Sequence, residues 1–233
     1  MAATEADQID RRGRRREVKR ATILAEAWTL AHRDGLAAIS LRDLADRVDL
    51  RQPSLYAYFD SKLDLYDQMF ADGNRQLLKL VRSLAPSEDP RDALIELTEA
   101  LVRFSTEDVV RHQLLFQRTI PGFEPSPASY ALAVEFYEIA RQRLTAAGGS
   151  DPSDVDIFSA LVSGLAHQQV ANDPGGDRWV RLAGRAVDMF LADVDRRQLS
   201  RIQPSRTPKG RTPKGRTQKV STPKERTREG ARR

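Results

Sequence analysis

Helix starts dominate this sequence. At three places a short oxygen-bearing side chain directly before a proline opens a helical pattern: Asp89-Pro90, Ser126-Pro127 and Asp151-Pro152. Such a side chain accepts a hydrogen bond from the first unpaired N–H groups of a helix, and a proline at the first helical position gives up only an N–H that has no intrahelical partner. Ser40-Leu-Arg-Asp43 and Ser61-Lys-Leu-Asp64 have the form of capping boxes. Asp177 follows the Pro174-Gly175-Gly176 breaker as a further cap, while Gly35 and Gly148-Gly149 read as helix stops. Between these signals the apolar residues recur at helical spacing. Ile23, Ala27 and Leu30 form one stripe, with Leu24, Trp28 and Ala31 beside it. Leu94, Leu97, Leu101 and Phe104 form another, as do Phe158, Leu161 and Leu165, and Leu182, Ala186, Met189 and Phe190. Sustained alternation of period two is missing. The expectation is an all-α fold with helices near 17–34, 41–48, 52–59, 62–84, 90–106, 109–118, 127–147, 152–172 and 177–199.

Charge is segregated along the chain. The net charge is +5. Seven of the eleven residues from Asp10 to Arg20 are basic, and so are eleven of the thirty from Pro204 to Arg233, whereas 21–203 holds 20 basic and 27 acidic residues. Basic segments flanking an acidic globular part point to a polyanionic partner. The carboxy-terminal segment reads in fives from Arg206 as RTPKG, RTPKG, RTQKV, STPKE, RTREG. With proline repeating and nothing to bury, a disordered basic tail over 201–233 is expected. Cysteine is absent, which excludes disulfides and thiolate chemistry. No apolar run approaches the roughly 20 residues that span a bilayer, and no secretory signal is apparent, so the expected compartment is the cytoplasm.

Catalytic signals are missing. His32, His112 and His167 each lack a second His or Cys at ligand spacing, so no metal is expected. No phosphate-cradling glycine loop or nucleophile elbow occurs. Asp154 and Asp156, like Asp193 and Asp195, read as solvated carboxylates rather than paired acids. Neither an enzyme nor a cofactor site is expected.

The segment from Leu41 to Phe59 carries the strongest functional pattern. Leu41, Leu44, Ala45 and Val48 make the inner face of a helix of about two turns. Asp49-Leu50 then turns, and a second short helix brings Leu55 and Phe59 to the same core. Ala45 is small where two helices cross. This is a helix-turn-helix pattern, in which early residues of the second helix reach base edges in the major groove. Here these are Arg51, Gln52 and Ser54, with Arg51 suited to guanine and Gln52 to adenine. Tyr56 and Tyr58 flank the apolar stripe, where a ring can pack on protein and its hydroxyl can meet a phosphate. Lys62 at the start of the next helix, and Arg42 and Ser40 at the start of the preceding one, are further candidates for phosphate contact.

The stretch GLAAISLRDLADRVDLRQPSLYAYFDSKLDLYDQM, Gly35 to Met69, resembles the DNA-binding domain of TetR-family transcriptional regulators. The resemblance falls on Gly35, Ser40, Leu44-Ala45, Leu55-Tyr56, Tyr58-Phe59, Ser61-Lys62 and Leu65. The family's turn Gly-Val is Asp49-Leu50 here, and Asp tolerates a left-handed backbone better than most residues. Arg51 replaces the usual serine cap and Pro53 enters the first turn, which leaves open how that helix is capped. The resemblance implies a DNA-binding domain at 17–77 and a helical effector-binding and dimerisation domain at 78–200, while the charge pattern sets apart a basic arm at 1–16 and the tail at 201–233. It implies a homodimer on a palindromic operator of double-stranded DNA, acting as a repressor that a small-molecule effector releases. Phe104, His112, Phe116, Phe136, Tyr137 and His167 are candidates for an effector cavity. Phe158, Leu161, Val162, Leu165, Val187, Phe190 and Val194 offer apolar stripes for a dimer, though the same stripes could close the monomer core. The alternative function is an architectural or nucleoid-associated DNA-binding protein dominated by its basic tail.

Overall fold

The computed structural model describes residues 2–85 and 87–202. It contains α-helices and two 3-10 turns, with no strand among the described residues. The α-helices are α1 (Ala2–Asp34), α2 (Leu41–Arg47), α3 (Gln52–Leu55), α4 (Lys62–Ser83), α5 (Pro90–Glu107), α6 (Val109–Phe116), α7 (Pro127–Ala146), α8 (Pro152–Asn172) and α9 (Ala183–Ile202). The disordered tail expected over 201–233 lies, from residue 203 onward, outside the described residues. No helix among those described is long and apolar enough to cross a membrane.

The local signals produce most of the boundaries. Asp89, Ser126 and Asp151 cap α5, α7 and α8, accepting from Arg91, Ser129 and Ser153 N–H respectively. At Asp151 the box is reciprocal, because the Asp154 carboxylate accepts from the Asp151 N–H. Ser61 caps α4, but Asp64 reaches back one residue further, to the Asp60 N–H at 2.9 Å. Gly35 ends α1 at φ 86°, a left-handed backbone that costs glycine little.

Three expectations about where helices begin and end need correction. The first helix does not start near residue 17: α1 begins at Ala2 and runs 33 residues, about 50 Å, through the segment expected as an arm. The segment holds no proline, and its acids Glu5, Asp7 and Asp10 precede its arginines, the order the helix dipole favours. The second helix of the helix-turn-helix is shorter than 52–59: α-helix covers Gln52–Leu55, and Tyr58 and Phe59 then donate their N–H groups to Leu55 O at 2.8 and 3.0 Å in a closing turn. Asp177 does not start α9. Val180–Leu182 form a 3-10 turn and α9 begins at Ala183, while the Asp173 carboxylate accepts from the Arg178 N–H at 2.9 Å and organises the loop.

Two cores share α4. Ile23, Leu30, Leu44, Ala45, Val48, Leu55, Phe59, Leu65, Tyr66 and Met69 close the amino-terminal one. There the buried Tyr66 hydroxyl donates to Leu36 O at 2.5 Å. Leu77, Val81, Leu94, Leu97, Leu144, Val187 and their neighbours close the second. In the last stripe, Ala186 and Phe190 point inward, but Leu182 and Met189 are exposed. Asp154 is also not solvated: it is 2% exposed, and its carboxylate accepts from Arg197 at 2.6 Å.

Candidate functional site

The turn between α2 and α3 holds Asp49 at φ 54°, the left-handed conformation that the resemblance requires of this position. Leu50 N–H closes the turn on Ala45 O at 2.9 Å. Arg51 stands at the helix start and makes no side-chain cap. Its guanidinium is therefore not spent on the backbone of α3. Arg42, Arg51, Gln52 and Ser54 are all exposed, as is Tyr56 at 48%. Tyr58 is half-buried and packs against the core with its ring. Ser40 uses an oxygen lone pair to cap α2, accepting from Asp43 N–H at 3.3 Å. Lys62 is half-buried. Its Nζ donates to Ala37 O at 3.0 Å and lies 5.7 Å from the Tyr66 ring centroid, so it also ties α4 to the turn before α2.

Sequence reasoning placed the arginines of 11–20 on an arm and missed a face. Arg12, Arg15 and Arg16 are spaced i, i+3, i+4, so a helix brings them together. They line one surface concavity with Ala57 and Tyr58. Arg16 Nη2 donates to Ala57 O at 2.6 Å, and Lys19 Nζ to Val48 O at 2.5 Å. The basic end of α1 is thus fastened beside the exposed end of α3.

The second site is a cavity of about 190 Å³ between α5, α6, α7 and α8. Four of the six cavity candidates, His112, Phe116, Phe136 and Tyr137, line it. Phe104 and His167 do not. Phe104 is buried under the Arg111 guanidinium, whose carbon sits 3.6 Å from the ring centroid, and His167 is exposed on α8. His112 is only 6% exposed, and its Nδ1 is buried without a hydrogen-bond partner. Burial, and then the nearby His167, lower its pKa below the usual histidine value.

The residues considered for a dimer are spent inside the monomer. Phe158, Val162, Leu165, Val187, Phe190 and Val194 are all under 10% exposed, and Leu161 packs against them half-buried. Phe158 and Val162 line the cavity instead. Among the described side chains, the large apolar ones that α8, α9 and the turn between them leave exposed are Ile157, Leu182, Met189 and Leu199.

A short helix pair joined by a left-handed turn, with its second element exposed and flanked by cations, defines a helix-turn-helix protein. Residues 23–69 match the family model described as bacterial regulatory proteins, tetR family. The HTH-type transcriptional activator FasR of Mycolicibacterium smegmatis is 32% identical over 111 residues, covering 46% of this chain and 51% of that protein. The chain thus spans about half the length of this relative. The TetR-family regulator PfmR of Thermus thermophilus superposes with a TM-score of 0.54 at 26% identity, covering 73% of this chain and 97% of that one. A TetR variant from Acinetobacter baumannii, solved in complex with minocycline, shares the fold at a TM-score of 0.53 and 23% identity, over 76% and 97% of the two chains. Residues 23–69 are thus similar to the DNA-binding segment of TetR-family regulators, and the chain as a whole shares their fold.

Proposed function

We propose that this protein is a dimeric, effector-released DNA-binding regulator, and that its simplest mode of action is repression by occupying an operator. The observation that carries this reading is the exposed Arg51, Gln52 and Ser54 on an element whose apolar residues Leu55 and Phe59 are buried. One face of α3 is fixed to the core while the other is offered to a major groove. Arg42, Tyr56, Tyr58 and Lys62, with Arg12, Arg15 and Arg16, would meet the phosphates and set register rather than sequence. A dimer would form through the outer faces of α8 and α9. Ile157 and Met189 are 53% and 66% exposed there, and the exposed Ala160 and Gly164 leave room for a close approach. FasR is by its name an activator, so the decisive readout is binding and its loss rather than the sign of regulation.

The cavity is the proposed effector site, and α6 the link to DNA. His112 and Phe116 line the cavity. Their helix begins at Asp108, whose Oδ1 lies 2.9 Å from His32 Nε2 at the end of α1. Arg111 on α6 donates to Gln76 of α4 at 2.7 Å, Gln76 donates to Asp72 at 2.8 Å, and Asp72 accepts from Trp28 Nε1 of α1 at 3.0 Å. Leu115 lies against Gly73, where a Cβ would come within 3.1 Å of it. A ligand that binds better to one position of α6 would therefore bias α1 and α4 together, and with them the spacing of two recognition elements.

Fluorescence anisotropy tests this on DNA upstream of the protein's own gene and on selected genomic fragments, against shuffled DNA. The full chain and a chain ending at Gln203 are compared at low and physiological salt. Preference by about 10³ or more for one fragment, kept without the tail, is expected. Replacing Arg12 and Arg15 by Gln should weaken all duplexes alike and lower the salt slope by about one per arginine in each protomer. Sequence-indifferent binding that vanishes with the tail would favour the architectural alternative.

A further inference from the structure

We infer that the cavity takes a compact, uncharged ligand built on a ring and carrying one hydroxyl or carbonyl oxygen, which hydrogen-bonds to His112 Nδ1. The inference rests on the reading of this cavity as the effector site and specifies what fills it.

Four observations converge. The lining contains no Asp, Glu, Lys or Arg. The cation nearest in sequence, Arg111, is turned away: it stacks on Phe104 and donates to Gln76 and to Phe104 O. Arg141 on α7 is held by Glu138. An anionic ligand would enter an apolar enclosure with no counter-charge, which is strongly unfavourable. Arg111 Nε, His112 Nδ1 and Trp179 Nε1 are buried without a partner, and of these three residues only His112 lines the cavity. Ser105 already donates its hydroxyl to Leu101 O at 2.9 Å, and Ser159 and Ser163 lie at the exposed rim. Tyr137 is likewise 46% exposed, and burial lowers the His112 pKa, so the buried part of the site offers one unsatisfied hydrogen-bonding atom and no charge at neutral pH. Phe116, Phe136, Tyr137 and Phe158 surround the space, and rings stack favourably on such walls. A volume of about 190 Å³ falls below the roughly 300–1,000 Å³ of common ligand pockets, which limits the ligand to one substituted ring.

The test uses three matched probes on the full chain at neutral pH, by calorimetry and thermal shift: para-tert-butylphenol, tert-butylbenzene and para-tert-butylbenzoate. The phenol should bind. Loss of the hydroxyl should weaken binding by about 3- to 12-fold, the worth of one neutral hydrogen bond, and the benzoate should bind far more weakly than either. His112→Leu should make phenol and hydrocarbon equal, while His112→Gln, which keeps a hydrogen-bonding group, should retain a preference for the phenol. Benzoate binding as well as phenol, no binding by any probe, or an unchanged phenol preference in His112→Leu would each overturn the inference. DNA binding is measured on the same preparation without probe. A chain that selects an operator but favours benzoate loses only the ligand class, whereas one that binds the phenol but selects no DNA loses only the regulator reading.

Discussion

Asp67 offers the sharpest check on how the two cores are held in one frame. It lies on α4, is 8% exposed, and points at the start of α7. Its Oδ1 accepts from the Ser126 N–H at 2.7 Å, and its Oδ2 accepts from the Ser126 and Ser129 hydroxyls at 2.8 and 2.7 Å. A carboxylate at a helix N-terminus also gains from the dipole. Replacing Asp67 by Ala removes three hydrogen bonds to a charged acceptor, each worth about 1.5–3 kcal/mol, and strands part-buried donors on Ser126 and Ser129. The three share one acceptor group and are not additive, so the expected loss is about 3–5 kcal/mol, in the range for breaking one side of a buried charged contact. Asn keeps one acceptor oxygen, and its NH₂ can donate to a hydroxyl, so Asp67→Asn should cost about 1–3 kcal/mol. Urea unfolding followed by circular dichroism gives both numbers. A loss under about 1 kcal/mol for Asp67→Ala would refute the claim that this contact fixes α4 against α7.

Two further outcomes follow from single residues. Asp49 holds φ 54° in the helix-turn-helix, so Asp49→Ala should cost about 1 kcal/mol while Asp49→Gly stays within about 0.5 kcal/mol of the parent; equal effects in urea unfolding would deny that the backbone conformation governs this position. Burial lowers the His112 pKa, which means that below about pH 6.5 the unfolded chain holds a proton that the folded chain resists. That contribution to stability is complete above the unfolded value and is lost as pH falls from there toward the folded one. His112→Gln should flatten the decline in urea midpoint between about pH 7 and 5.5, and identical declines would contradict the assignment.

What could be read ahead of the structure was what depends on neighbours in the chain. Asp89, Ser126 and Asp151 act through N–H groups two or three residues away, so their caps are visible in sequence. Asp49 is equally local. The face of Arg12, Arg15 and Arg16 was open to the same reasoning, because its i, i+3, i+4 spacing becomes a surface once the segment is treated as helix. Asp154 was misjudged because its partner, Arg197, lies 43 residues on, and no spacing rule connects them. The stripes on α8 and α9 were ambiguous for a different reason. A wide apolar stripe serves a monomer core or a dimer equally well, and only packing shows that Phe158 and Val187 go inward while Ile157 and Met189 stay out.

The short helix α6 is attached on several sides. α6 has eight residues, and each faces about 100° from the next, so its side chains leave it in several directions. Arg111 reaches α4, His112 and Phe116 reach the cavity, Leu114 enters the amino-terminal core, and Leu115 packs on Gly73. A helix with one apolar face can slide or tilt along it at modest cost. One pinned on several sides cannot, and a change at the cavity wall must either be resisted or move its neighbours with it. The proposed coupling of a ligand to α1 and α4 would use these attachments on several sides of α6.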